Sequence, residues 1–177
     1  MGMRLDSTFD EFVEGRSTAL LRTAYLLTGD RGHAEDLLQT ALLRTARHWS
    51  QVRGSPEAYA RQVLVNLSRD RIRWLFRRPR EAPMPPDPDN LPGVEAGYDQ
   101  VTERHAIVAA LARLPVRQRQ IVVLRFFEDL SVEQTAELLG ISAGTVKSSM
   151  FRALSRLREL LGDRREPQSL EVPHAHR

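Results

Sequence analysis

No cysteine occurs among the 177 residues, which excludes disulfides and thiolate metal sites and fits a reducing interior. Aromatic residues make up only 6% of the chain, so its cores must be mostly Leu, Val and Ala. No apolar run is long enough to span a bilayer, and the N-terminus carries no signal-peptide apolar segment. No repeat and no convincing strand pattern appears. Lysine is nearly missing: Lys147 is the only one among 26 basic side chains. The expectation is a soluble, cytoplasmic, all-α protein. Its positive charge is carried by arginine, whose planar fork suits phosphates and guanine edges.

The net charge of +3 is unevenly spread. Residues 1–80 carry a net +5, residues 81–104 a net −5 and residues 105–177 a net +3. Two basic blocks therefore flank an acidic connector. Six of the ten prolines lie in residues 77–99, where apolar residues are sparse. Such a segment buries too little surface to fold and is expected to be a flexible linker. The predicted organisation is a first helical domain over 6–76, a linker over 77–99, a second helical domain over 100–162 and a disordered tail over 163–177. His174 and His176 lie in that tail without further ligands, so no metal site is expected. No cofactor is expected either.

The first block reads as three helices. Thr8 and Glu11 have the spacing of a capping box ahead of an apolar stripe of Phe9, Phe12, Val13, Leu20, Ala24 and Leu27 that ends at Gly29. A second helix is predicted over 34–49, with Leu37, Leu38, Ala41, Leu42 and Thr45 inward. Ser55-Pro56 marks the start of a third, a capping residue followed by proline at the first helical position. At about 100° per residue its core face is Ala60, Val63, Leu64, Leu67, Trp74 and Leu75. The neighbouring third of its circumference holds Tyr59, Gln62, Asn66, Arg69, Asp70, Arg73 and Arg77. Amides and guanidinium groups can hydrogen-bond unpaired base edges, and an aromatic ring can stack on them. Asp70 is better suited to orienting a neighbouring arginine.

In the second block, one helix carries Val101, Ile107, Val108, Leu111 and Leu114 inward, and Pro115 opens another. Residues 131–152, SVEQTAELLGISAGTVKSSMFR, then have the spacing of a helix-turn-helix. Ser131 is placed to cap a short helix with Thr135, Ala136 and Leu139 inward. Gly140 falls at the sharp turn. Ser142 is placed to cap the second helix, and Val146 falls where that helix presses on the first. Only a small residue such as Ala136 permits a close crossing. Thr145, Lys147, Ser148 and Arg152 face outward, as hydroxyls and cations suited to base edges and phosphates.

With both blocks read, the chain resembles a bacterial RNA polymerase sigma factor of the extracytoplasmic-function type. The likeness rests on AEDLLQTALLRTARHW (34–49), YARQVLVNLSRDRIR (59–73) and LPVRQRQIVVLRFFEDLSVEQTAELLGISAGTVKSSMFRALSRLR (114–158). LLTGDRGHAEDLLQTALL is similar to an actinobacterial SigE-like subgroup. The resemblance implies two helical modules joined by a flexible linker. Region 2 would bind the polymerase core and capture the melted minus-ten element, and region 4 would read the minus-thirty-five duplex. Asp36, Leu37, Gln39, Thr40 and Leu42 would bind the polymerase. Tyr59, Asn66, Arg69, Asp70 and Arg73, then Ser142, Thr145, Lys147, Ser148 and Arg152, would bind DNA. Tyr59 stands where the family often has tryptophan, and Val65 where a basic residue is common. The implied partners are the polymerase clamp and flap, promoter DNA and an anti-sigma factor, with no membrane.

Other classes fit less well. GISAGTVKS alone also resembles the helix-turn-helix of LuxR-type regulators, but nothing in residues 1–80 alternates strand and helix like their usual companion domains. A helical adaptor that binds only protein has no use for Thr145, Lys147 and Arg152. An enzyme would need a converging acid–base cluster, and Glu35, Asp36, His33 and His48 have no complement elsewhere in the pattern.

Overall fold

The computed structural model describes residues 7–52, 54–75 and 98–162, with side chains described for all but 70–75 and 98–103. Among the described residues there are seven α-helices, one 3-10 turn and no strand: α1 (Ser7–Thr28), α2 (Arg31–Arg47), the 3-10 turn Trp49–Gln51, α3 (Pro56–Leu75), α4 (Tyr98–Ala112), α5 (Val116–Phe126), α6 (Val132–Leu139) and α7 (Ala143–Gly162). The all-α expectation holds. Most of the expected linker, the expected tail and its histidines lie outside the described residues.

Helices α1, α2 and α3 pack on one another as a three-helix unit. Asp30 caps α2, accepting from the His33 backbone N–H at 2.8 Å, so the helix starts three residues earlier than its apolar pattern suggested. Ser55 caps α3, accepting from the Ala58 N–H at 3.3 Å, as its Ser-Pro signature predicted. Thr8 does not form the expected capping box. It lies inside α1, and its hydroxyl instead accepts from Trp49 Nε1 at 3.2 Å. Trp49 fills the end of the unit against Phe9 and Phe12, with ring centroids 5.1 and 5.3 Å away.

The second half packs α5 and α6 against α7, with α4 also touching α7. It does not stand apart from the first half. Helices α4 and α5 pack on α1, and α5 also reaches α3. One core cluster runs through both halves, from Leu20, Ala24 and Leu27 to Leu111, Leu114 and Ile121. Two departures from the sequence reading share this cause. Thr23 through Leu27 are all buried, more than one helical stripe, because α1 is covered on two sides. Val65 and Ser68, off the expected core face of α3, are buried beneath α5. Ile107, expected inward, is exposed, whereas Val108 and Leu111 of the same stripe enter the shared core.

The turn between α6 and α7 depends on Gly140 (φ 64°), the left-handed conformation expected from its position. The Gly140 N–H donates to Glu137 O at 3.1 Å and the Ile141 N–H to Ala136 O at 3.0 Å, the paired bonds of a Schellman ending. A Cβ on Gly140 would meet nothing within 4 Å, so the penalty of adding one is purely conformational. Gly140→Ala is therefore expected to cost about 1 kcal/mol. The check is urea unfolding: a lower midpoint at unchanged slope.

Candidate nucleic-acid and polymerase interfaces

The helix-turn-helix forms as its sequence predicts. Ser131 Oγ accepts from the Gln134 N–H at 3.0 Å, and Gln134 Oε1 accepts in return from the Ser131 N–H at 2.7 Å. Glu133 lies in the same first turn. Hydrogen bonding to its own backbone N–H, then to the Ser131 hydroxyl, holds its carboxyl below the usual range, and the charges of Lys147 and Arg125 act in the same direction. Thr135, Ala136, Leu139 and Val146 are all buried at the crossing. Thr145, Lys147, Ser148 and Arg152 are exposed along α7. Ser142 is exposed too, but its hydroxyl has a structural task, accepting from the Thr145 N–H at 3.1 Å.

Two arginines that sequence reasoning passed over brace this unit from α5. Arg117 Nη1 donates to Leu139 O at 3.1 Å, and Arg125 Nη1 donates to Leu130 O. Each satisfies a backbone acceptor at an end of α6. Only the tertiary position of α5 shows this, since their spacing resembles any arginine-rich helix face.

Beside α7, Arg113, Leu114, Pro115, Gln118, Phe151, Arg152, Ser155, Arg156 and Glu159 line a cleft of about 700 Å³. Phe151 is 71% exposed there. Among the side chains that line it, the sequence reading gave a binding role to Arg152 alone.

On α3, Tyr59, Asn66 and Arg69 are half-buried and Gln62 is exposed. Asp70 and Arg73 continue the helix, with side chains outside the described set. Tyr59 and Gln62 also line a cleft of about 330 Å³ with His48, Gln51, Val52 and Ser55. The His48 and Tyr59 rings lie 6.1 Å apart at 45°. His48 and Gln51 were missed as cleft residues because the irregular turn between α2 and α3 has no periodicity, and Ser55 was read only as a cap.

On α2, Asp36, Gln39 and Thr40 are exposed and Leu42 is half-buried. Leu37 is only 5% exposed and belongs to the core, so among the expected polymerase-facing residues it supports the helix from beneath. Leu43, not anticipated, is 58% exposed and continues the outward line of Asp36, Gln39 and Thr40.

Comparison with known families matches Sigma-70 region 2 to residues 12–76 and region 4 of Sigma-70 to residues 104–157. The chain belongs to the sigma-70 family of RNA polymerase sigma factors. It is 43% identical over 162 residues to the RNA polymerase sigma-E factor of Streptomyces avermitilis, covering 88% of this chain and 86% of that one. It is 33% identical over 159 residues to the ECF RNA polymerase sigma factor SigE of Mycolicibacterium smegmatis, covering 87% of this chain and 62% of that one. The solved structure of the sigma factor RpoE in complex with the anti-sigma factor NepR, from Bartonella quintana, matches with a TM-score of 0.71 at 24% identity. That match covers 90% of this chain and 100% of that one, and it speaks for the fold alone. This sigma factor is of the extracytoplasmic-function type, and its role is promoter-directed transcription initiation. Matches in both halves leave no support for the stand-alone LuxR-like reading.

In this sigma factor the crossing at Ala136 sets how α7 is presented. Ala136→Leu forces extra volume into a buried site and is expected to destabilise the fold by about 1–3 kcal/mol. It should also weaken use of promoters that depend on the upstream duplex element while leaving polymerase binding intact. Denaturation curves and transcription from promoters with and without that element check both effects.

Proposed function

We propose that this sigma factor divides its work between residues 6–76, which bind the polymerase core and hold the melted minus-ten element, and residues 100–162, which read the minus-thirty-five duplex. Residues 77–99 connect the two. A chain of about 20 residues spans roughly 25 Å as a random coil and about 70 Å when fully stretched. Two DNA sites two helical turns apart are separated by about 70 Å. The polymerase is the scaffold that holds the modules at that spacing, and it carries out all the chemistry. The sigma factor itself is not an enzyme.

The observation that carries this reading is the exposure of two different polar surfaces on one chain. On α7, Thr145, Lys147, Ser148 and Arg152 form a surface of hydroxyls and cations suited to duplex grooves. On α3, the half-buried Asn66 and Arg69 follow one and two turns after Gln62, which lines a cleft with His48 and Tyr59. Rings at a cleft mouth offer stacking, and the amides of Gln51 and Gln62 offer base-edge hydrogen bonds, as a single unstacked base requires. Asp70 and Arg73, the remaining candidates for this role, follow on the same helix.

The clamp-facing surface is Asp36, Gln39, Thr40, Leu42 and Leu43 on α2, with Leu37 packed beneath. The cleft beside Phe151 is the docking site for the polymerase flap, since an exposed aromatic in a groove marks a protein contact. An anti-sigma factor would cover the α2 surface and so exclude the polymerase. Transcription from a genomic library with purified core polymerase, mapping the start sites, tests the whole assignment. Failure to direct any promoter-specific initiation would refute it.

Two sets of substitutions separate the roles. Lys147→Ala and Arg152→Ala should weaken upstream-element recognition. A lost phosphate contact lowers the salt dependence by about one counterion, and a lost bidentate base contact costs roughly 1–3 kcal/mol. Promoter binding by holoenzyme across a salt series distinguishes the two. Asn66→Ala should impair opening of duplex promoters more than polymerase binding. A pre-melted template should restore part of its activity, because the unpairing energy is then already supplied.

A further inference from the structure

Side chains on the outer face of α7 differ in how much of their hydrogen-bonding capacity the helix itself consumes. Ser148 Oγ donates to Thr145 O at 3.2 Å, so its proton is committed and its lone pairs face solvent. Arg152 Nε donates to Ser148 O at 3.4 Å. Its Nη1 and Nη2 have no hydrogen-bond or ion-pair partner among the described residues, and the side chain is exposed. Thr145 is drawn into the cap instead. Its N–H donates to Ser142 Oγ at 3.1 Å, and its hydroxyl lies 2.9 Å from the same oxygen.

Position around the helix separates Lys147 from this pair. Val146 and Ala153 are fully buried and mark the side of α7 that faces the core. At about 100° per residue, Ser148 and Arg152 lie about 40° apart on the side away from them. Lys147 lies about 100° from Ser148 and about 140° from Arg152, at the margin of the exposed face. A helix seated in a major groove turns its central stripe to the base edges and its margins to the phosphates.

We propose that Arg152 reads a guanine and Ser148 the exocyclic amino group of an adenine or cytosine in the upstream duplex, while Lys147 holds a phosphate. The inference rests on the assignment of α7 to that duplex. Guanine offers two acceptors, O6 and N7, spaced for the terminal nitrogens of an arginine. The contact of Nε with the Ser148 carbonyl restrains the guanidinium before DNA arrives, so less rotamer freedom is lost on binding. A carbonyl base edge facing Ser148 has to draw the proton away from Thr145 O, whereas an amino group uses a lone pair that is already open. The lysine ammonium has no planar fork and suits a phosphate as a point charge. Ser148 and Arg152 are separated by about 6 Å along the helix axis, against a rise of about 3.4 Å per base step. The two base pairs are therefore adjacent or next but one.

Holoenzyme binding to a promoter library randomised across the upstream element locates the preferred positions, and base analogues then isolate single atoms. All three side chains are exposed, so their substitution leaves the buried crossing intact. At the preferred guanine, 7-deazaguanine lacks N7. It should weaken binding by the original chain roughly tenfold and leave Arg152→Lys nearly unaffected. Within two steps of that guanine, purine in place of adenine, or pyrimidin-2-one in place of cytosine, removes the amino group. This should cost the original chain several-fold and Ser148→Ala nothing, and the base found there decides between adenine and cytosine. Lys147→Ala should lose affinity evenly across the library, with a salt slope lower by about one. Arg152→Lys with the guanine preference of the original would overturn the first assignment. A Ser148→Ala variant that still responds to amino removal would overturn the second, and relaxation of a single position by Lys147→Ala the third. No preferred position even for the original chain would overturn the assignment of α7 to the duplex as well, which separates that failure from failure of the base assignments alone.

Discussion

The guanidinium of Arg119 sits where two helices end. It donates to Leu27 O in the last turn of α1, to Ala112 O at the end of α4 and to Leu114 O just beyond. Carbonyls at helix C-termini lack intrahelical partners and carry the negative end of the dipole. One buried cation therefore satisfies three acceptors that would otherwise be left unpaired in the core. Burial pushes the arginine pKa down, but arginine keeps its charge at any physiological pH. This junction sets α5 against α1 and α4. From there Arg117 and Arg125 reach the two ends of α6, and Gln120 reaches α3.

The helix-turn-helix depends less on this arrangement. Its caps, its turn and its small crossing residue act within about twenty residues of chain. The buried crossing of Ala136 and Val146 orients α7 and leaves its outer face, with Lys147 and Arg152, to solvent. Region 2 differs in this respect. Its α3 divides its circumference among an internal core, a polar stripe and a strip covered by α5. The stripe proposed to capture bases and the contact with α5 thus share one helix.

Legibility from sequence followed the range of the interaction concerned. Ser55, Ser131, Ser142 and Gly140 act on backbone groups at most five residues away, and each was read correctly. Asp30 belongs to the same short-range class and was passed over because the apolar pattern of α2 begins only at Ala34. Thr8 had the right spacing for a cap, but its hydroxyl serves Trp49, 41 residues away. The cleft of His48, Gln51 and Ser55 draws on an irregular turn, where no period exists to detect.

The sequence by itself determined the helices, the helix-turn-helix and the outward cations of α7. Local hydrogen bonding and the period of 3.6 residues decide those features without reference to distant chain. It also carried the family resemblance, through motifs in both blocks. Only the tertiary structure decided that Thr23–Leu27, Val65 and Ser68 are buried, and that Gln120 and Glu128 join the two halves. Periodicity reports which face of a helix is apolar, and it is silent on a second partner approaching from another side. A buried glutamine or an arginine on distant carbonyls looks like any surface residue until its partner is placed beside it.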